Sequence, residues 1–111
     1  MTLAPLSLIE TSPGEFSLLL RDLDSAAGPF VAAGRSGNGY SWQSLAQHML
    51  KSALQDVGDR TELDSEADMF CARSDDQEAL GRLGGLLAEA VSNPRQLAKL
   101  IAAVPSSLWD D

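Results

Sequence analysis

The segment Gly34-Arg-Ser-Gly-Asn-Gly-Tyr-Ser-Trp42, directly followed by a predicted helix, decides the fold. Its first six residues include three glycines and an asparagine, which tolerate positive φ and therefore allow a tight loop. We predict that Ser41 is the N-cap of the helix and that Tyr40 packs on Leu45 as a hydrophobic staple. Two of the few aromatic side chains flank this flexible backbone, so the loop is either a structural clasp or a binding surface.

The segment after the loop has the strongest helical pattern in the chain. Apolar residues recur at three- and four-residue spacing over residues 45–57, which predicts one apolar stripe on an amphipathic helix. We expect Gly58 to end this helix at the C′ position. Upstream of the loop, residues 3–10 and 16–21 are predicted strands, joined by a type II turn at residues 11–14.

The second half of the chain predicts two more strands and two more helices. Residues 61–64 and 68–73 are predicted strands, and apolar residues on both faces of the second predict a central strand covered on each side. Ser74 has the spacing of a capping box for a helix that runs to about Val91. That helix contains three glycines, each of which costs about 1 kcal/mol relative to alanine, so we expect another element to approach it closely. The pair Asn93-Pro94 predicts the start of a third helix.

These elements give the order β-β-α-β-β-α-α and predict an α+β fold with an antiparallel or mixed sheet packed with helices. The chain has 111 residues, which fits a single domain over residues 1–111. We expect residues 105–111 to form a tail that is either loose or docked through Leu108 and Trp109.

The charge distribution limits the classes of partner that the protein can bind. The net charge is −8, and residues 56–78 account for −7 of it with nine acids and two bases. This excess of acid argues against binding to nucleic acids or anionic membranes and favours a basic partner. The chain has no apolar run long enough to span a bilayer and no basic N-terminal region typical of a signal peptide. Together with the single cysteine, Cys71, these features lead us to expect a cytoplasmic protein.

The sequence shows no catalytic constellation. The only histidine, His48, lies in the amphipathic helix, and Cys71 lies in a strand that we expect to be buried. Neither has a sequence neighbour that marks it as an activated nucleophile or base. The glycine spacing in residues 34–39 is similar to a phosphate loop but lacks the Gly-Lys-Ser/Thr sequence. We therefore expect neither an enzyme nor a cofactor.

Carboxylates alternate at Asp64, Glu66 and Asp68, so an extended backbone places all three on one side. Such a group can bind Ca²⁺ or Mg²⁺, can form a solvated hairpin tip, or can serve as a protein-binding patch. The glycine and terminal glutamate of an EF-hand loop are missing, and we rank the protein-binding patch above the metal site. Interface hot spots favour tryptophan and tyrosine, which adds the aromatic residues of the loop to the candidates. The candidate partner-binding residues are Asn38, Tyr40, Trp42, Glu62, Asp64, Glu66 and Asp68.

Two sequence strings carry a resemblance to a known family. Gly37-Asn-Gly-Tyr-Ser-Trp42 is followed by the acidic stretch and then by Met69-Phe-Cys-Ala-Arg-Ser-Asp-Asp-Gln-Glu-Ala-Leu80. In this order and spacing the combination resembles the immunity-protein-fifty-one family of bacterial polymorphic-toxin systems, over about residues 15–103. The resemblance implies a small cytoplasmic antidote that is not an enzyme and that binds a cognate toxin domain. The glycine-rich second long helix departs from the Leu/Ala/Glu-rich helix expected of that family.

We therefore predict a protein that neutralises the C-terminal domain of a cognate bacterial toxin by stoichiometric protein–protein inhibition. The acidic stretch favours a basic toxin such as a nuclease, because carboxylates can occupy a phosphate-binding site as phosphate mimics. The alternative is a small intracellular ligand- or metal-binding module that uses the loop and the acidic cluster.

Overall fold

One antiparallel sheet forms the layer on which the fold is built. The computed structural model describes residues 3–109, and within them four strands pair in the order β1-β2-β4-β3. The strands are β1 (Ser7–Ser12), β2 (Glu15–Leu20), β3 (Glu62–Leu63) and β4 (Phe70–Ser74). The predicted α+β class is confirmed, and of the two predicted sheet types the structure has the antiparallel one.

Strands β1 and β2 form the hairpin that the sequence predicts. The residues between them are Pro13 and Gly14, and Gly14 has φ of 79°, the positive value that a type II turn requires at this position. Strand β1 begins later than predicted because the chain before it turns: the Leu6 N–H donates to the Leu3 carbonyl at 2.7 Å.

Helices account for the second layer of the fold. They are α1 (Gly28–Ala32), α2 (Gly39–Ser52), α3 (Gln77–Ser92) and α4 (Pro94–Ala103), with short 3₁₀ turns at residues 24–26, 58–60 and 106–108. The predicted start of the last helix is confirmed. The Asn93 side chain accepts a hydrogen bond from the Gln96 N–H at 3.2 Å, and Pro94 is the first helical residue.

Helix α2 begins before the predicted position, and its N-cap is Asn38 rather than Ser41. The Asn38 side chain accepts a hydrogen bond from the Ser41 N–H at 3.1 Å. The Ser41 hydroxyl points back to the loop and accepts one from the Gly37 N–H at 3.1 Å. Tyr40 therefore lies in the first turn, not before the N-cap, and the predicted hydrophobic staple is wrong.

Two other helix ends also differ from prediction. Helix α2 ends at Ser52, well before Gly58, which instead begins a 3₁₀ turn. The cap of α3 is Asp76, whose carboxylate accepts a hydrogen bond from the Ala79 N–H at 3.2 Å. Ser74, the predicted cap, does not cap the helix but stabilises Asp76, because its hydroxyl accepts a hydrogen bond from the Asp76 N–H at 2.9 Å.

The core lies between the helices and one face of the sheet. Phe30 and Trp42 are fully buried and meet edge to face with ring centroids 5.0 Å apart. The part of the predicted tail that the structure describes is docked: Trp109 packs on Phe30 at 6.1 Å and lies under the Arg35 guanidinium at 4.7 Å. Residues 110 and 111 of that tail lie outside the described residues.

The two faces of the sheet differ in what covers them. On the inner face, Leu18 and Phe70 belong to the core shared with the helices. Leu19 and Cys71 pair across β2 and β4 and point to the other side; they are buried but lie outside that core. Strand β4 is thus central, and its apolar residues are buried on both sides, as predicted, although Cys71 on the outer side lies outside the core that the helices share. The outer face comprises Ser7, Ile9, Ser17, Leu19, Glu62, Asp64, Glu66, Met69, Cys71 and Arg73.

The sequence predicts that another element approaches α3 closely at its glycines. This prediction is confirmed at Gly84 but not at Gly81. A Cβ at Gly84 would lie 3.0 Å from Leu18 Cδ1 and 3.3 Å from Leu3 Cδ1. A Cβ at Gly81 would meet no atom within 4 Å. A Cβ at Gly84 would therefore require the Leu18 side chain to shift slightly, whereas a Cβ at Gly81 has open space.

We predict that Gly81→Ala raises the free energy of unfolding by about 1 kcal/mol, because it adds helix propensity without a clash. Gly84→Ala is the matched control in the same helix and should gain clearly less, since its Cβ crowds Leu18. Urea unfolding of both variants measures the difference. Equal stabilisation by the two substitutions would contradict the close packing of α3 on β2.

Candidate functional site

The acidic stretch forms a hairpin at the edge of the sheet, and we call residues 62–74 the acidic hairpin. Glu62 pairs with Arg73, and the same register continues to a bridge between Glu66 and Met69. The tip therefore consists of residues 67 and 68, whereas the predicted strands leave residues 65–67 for the turn. Because side chains alternate along each strand, Glu62, Glu66 and Arg73 lie on the outer face of the sheet.

The loop before α2 holds the tip of the acidic hairpin. The Gly39 N–H donates a hydrogen bond to the Ala67 carbonyl at 2.9 Å. A Cβ at Gly39 would overlap the carbonyl oxygens of Glu66 and Met69, so only glycine permits this approach of two backbones. The loop is therefore a structural clasp, one of the two roles that the sequence left open.

Further contacts fix the hairpin against α2. The Gln43 side chain accepts a hydrogen bond from the Ser65 N–H at 2.9 Å, one helical turn beyond Gly39. The Ser65 hydroxyl in turn accepts from the Cys71 N–H at 3.0 Å. In the loop itself Gly34 and Gly37 have φ of 82° and 77°, as the clustering of glycines predicted. The hairpin is thus anchored to α2 through the Ala67 carbonyl at its tip and the Ser65 N–H before the tip.

The candidate residues of the loop serve different purposes. Asn38 is the half-buried cap of α2, and Tyr40 is 38% exposed beside the clasp. Trp42 is fully buried and offers no surface to a partner, so we leave it out of the proposed contact surface. The reason is the helix start: with Asn38 as N-cap, Trp42 falls at position N4 and faces the core.

The candidate carboxylates lie where they can meet solvent and a partner. Arg73 donates a hydrogen bond to Glu62 at 2.9 Å and lies 3.4 Å from Asp64. This hydrogen bond is the main reason why the pKa of Arg73 is raised above its ordinary value. Glu66 and Asp68 are exposed and make no ion pair with any described residue. Arg73 is therefore the one described cation paired with both Glu62 and Asp64. The carboxylates of Glu66 and Asp68 near the tip have no paired cation among the described residues.

Cys71 and His48 are the residues considered above for nucleophilic catalysis. Burial of Cys71 raises the pKa of its thiol, which keeps it protonated at neutral pH. His48 is half-buried in α2. Within residues 3–109, no three His, Cys, Asp or Glu side chains are grouped so that they could hold a metal ion. Over the same residues, every helix is too short or too polar to cross a membrane.

Sequence analysis did not identify Ile9 as an exposed residue of the outer face. Ile9 is 43% exposed and shares that face with Ser17, its partner across the β1–β2 pair. The alternation in β1 placed Ser7 and Ile9 on the same side of the strand. The alternation did not indicate which side of β1 faces the helices, so the sequence could not predict that Ile9 is a surface residue.

Comparison with known proteins gives one family. The family model described as Immunity protein 51 matches residues 6–105, nearly the whole chain. The matched range includes the clasp, the acidic hairpin and all four helices. Neither a curated protein nor a solved structure matches the chain.

We predict that Gly39→Ala lowers the free energy of unfolding by about 1–3 kcal/mol, because the new Cβ forces the hairpin tip away from α2. Gly28→Ala is the control: its Cβ would meet no atom within 4 Å and should change stability far less. Urea unfolding measures both. A Gly39→Ala protein as stable as the control would show that the close approach is not needed.

Acid should weaken the cap of α3. The Ala79 N–H is the main reason why the pKa of Asp76 is lowered from its ordinary value of 3.8, and Arg60, 2.6 Å away, adds to the effect. The folded-state pKa is therefore below the unfolded one, so this contribution to stability is present above the ordinary pKa and is lost as pH falls through the lowered pKa.

We predict that Asp76→Ala lowers the Tm by a few degrees at pH 7 and that its difference from the wild type disappears in strong acid. Asp75→Ala removes a neighbouring carboxylate without the capping bond and should change the Tm less. Thermal unfolding between pH 7 and pH 2 tests this. A Tm difference for Asp76→Ala that persists unchanged into strong acid would contradict the assignment.

Proposed function

The chain belongs to the Immunity protein 51 family, and from this premise we propose that it neutralises a cognate toxin domain by stoichiometric contact. We further propose that it acts without catalysis in the bacterial cytoplasm, as part of a polymorphic-toxin system. Protection of this kind requires only a complementary surface that occupies or blocks the toxin's active site. The acidic hairpin is the part of the chain best suited to that task.

The observation that carries this proposal is the concentration of charge on a rigidly held hairpin. Residues 56–78 have a net charge of −7, whereas residues 79–111 have three bases and three acids and hence no net charge. A field of this strength steers a basic partner toward the hairpin and accelerates encounter. Because the clasp fixes the tip in advance, little conformational entropy is lost on binding.

We propose that the toxin is basic, for example a nuclease. A nuclease site binds phosphate through cationic side chains, and closely placed carboxylates can satisfy the same groups. Glu66 and Asp68 support this role because they project at the hairpin tip without a cation of their own among residues 3–109. Asn38 and Tyr40 lie beside the tip and are proposed to contribute to the same contact, together with Glu62 and Asp64.

The direct test is co-expression with the toxic C-terminal domain encoded immediately upstream, followed by co-purification. We expect rescue of growth and a one-to-one complex in size-exclusion chromatography with light scattering. The upstream domain is first shown to be toxic when expressed alone. If it kills in the presence of this chain and no complex forms, the proposed function is wrong.

We predict that reversing the charge of the tip with Glu66→Lys and Asp68→Lys slows association with the toxin by at least about tenfold at low salt. The effect should shrink as salt rises, because screening weakens long-range attraction. The matched control is Asp24→Lys with Glu89→Lys, which makes the same charge change at exposed positions away from the hairpin. Stopped-flow association kinetics compare the two. Equal rates for both double variants would exclude steering by the hairpin.

A further inference from the structure

The outer face of the sheet is a second feature that the fold leaves without a partner. Its residues pair across all four strands, yet Leu19 and Cys71 at its centre lie outside the core that the helices share. We propose that this face, and not the hairpin tip alone, is the docking surface for the toxin. This inference rests on the proposed function and names the surface through which it is exercised.

The centre of the outer face is apolar. Leu19 and Cys71 are 8% and 6% exposed and form its floor, and Ile9, which is 43% exposed, lies on the neighbouring edge strand β1, where it pairs with Ser17. In residues 3–109 the exposed large hydrophobic side chains are those of Ile9, Val31 and Tyr40. Ile9 is the one of these three that lies on the sheet. An exposed apolar side chain on the same face as buried apolar residues fits the more apolar composition of the central part of a protein interface.

One rim of the outer face is acidic. Glu62, Asp64 and Glu66 follow one another along the edge of the sheet, and Arg73 neutralises only one of their three charges. An apolar centre with a polar rim is the common anatomy of a protein–protein contact. The rim here selects a partner with lysine or arginine side chains around an apolar patch.

The charge distinguishes this partner from a second copy of the chain. Each copy has a net charge of −8, so pairing two copies brings like charges together. Binding to a basic toxin surface brings opposite charges together instead. The occupant that the outer face fits is therefore a basic protein and not the chain itself.

The outer face is also rigid enough to bind without rearrangement. Strands β1 and β2 pair over four consecutive positions before a register shift between Glu10 and Ser12, and β2 and β4 pair over five consecutive positions. The fourth strand is short, but the clasp at Gly39 and the Gln43 bond to Ser65 hold the hairpin to which it belongs. Positions 9 and 62–66 thus keep a fixed spacing in the free protein.

The test is Ile9→Arg, with Val31→Arg as a matched control that makes the same change at an exposed aliphatic side chain on α1. Binding to the upstream-encoded toxin domain is measured by isothermal titration calorimetry. We expect Ile9→Arg to weaken Kd by at least about tenfold, as for a central interface residue, and Val31→Arg to change it less than about twofold. A photoreactive amino acid at position 9 should cross-link to the toxin, and one at position 31 should not.

The outcomes separate the two proposals. If the wild-type chain fails to bind the toxin, the proposed function is wrong. If the wild type binds, a normal Kd for Ile9→Arg together with no cross-link from position 9 overturns the docking surface alone. If Ile9→Arg fails to fold, as judged by circular dichroism, the cross-link from position 9 decides. A dimer of this chain that Ile9→Arg dissociates would assign the face to a second copy and would also overturn the inference.

Discussion

The fold depends on one backbone contact, between Gly39 at the start of α2 and the tip of the acidic hairpin. The Gly39 N–H is one of the unpaired donors of a helix N-terminus, and the Ala67 carbonyl satisfies it. The approach is so close that a methyl group at this position would overlap the carbonyls of Glu66 and Met69. The helix start and the hairpin tip therefore determine each other's positions.

This contact also explains how a strand of two residues can hold an exposed, highly charged edge. Strand β3 has few ladder bonds of its own, and like charges along it repel. Anchoring at Gly39 and at Gln43 offsets both effects by tying the hairpin to α2. The same α2 inserts Trp42 into the core, where it meets Phe30. The charged surface is therefore connected through α2 to the buried core.

The sequence predicts those features that depend on local interactions. The turn at Gly14, the apolar stripe of α2 as far as Leu50 and the Asn93-Pro94 start of α4 all follow from neighbouring residues, and all are confirmed. The N-cap of α2 does not, because Asn38 and Ser41 can both cap a helix and the tertiary contact at Gly39 selects between them. For a related reason the sequence does not predict that Trp42 is buried or that Ile9 is exposed. Alternation and helical spacing define faces but do not state which face the rest of the chain covers.

The clasp, the acidic hairpin and the outer face of the sheet together form a surface that already has its binding conformation in the free protein. Amide hydrogen exchange of the free protein tests this account most directly, at the Gly39 N–H. We expect that hydrogen to exchange only by global unfolding, with a protection factor equal to those of β2 and β4 in the centre of the sheet. Exchange of Gly39 orders of magnitude faster than that of the central strands would show that the hairpin opens locally, and it would contradict a preformed surface.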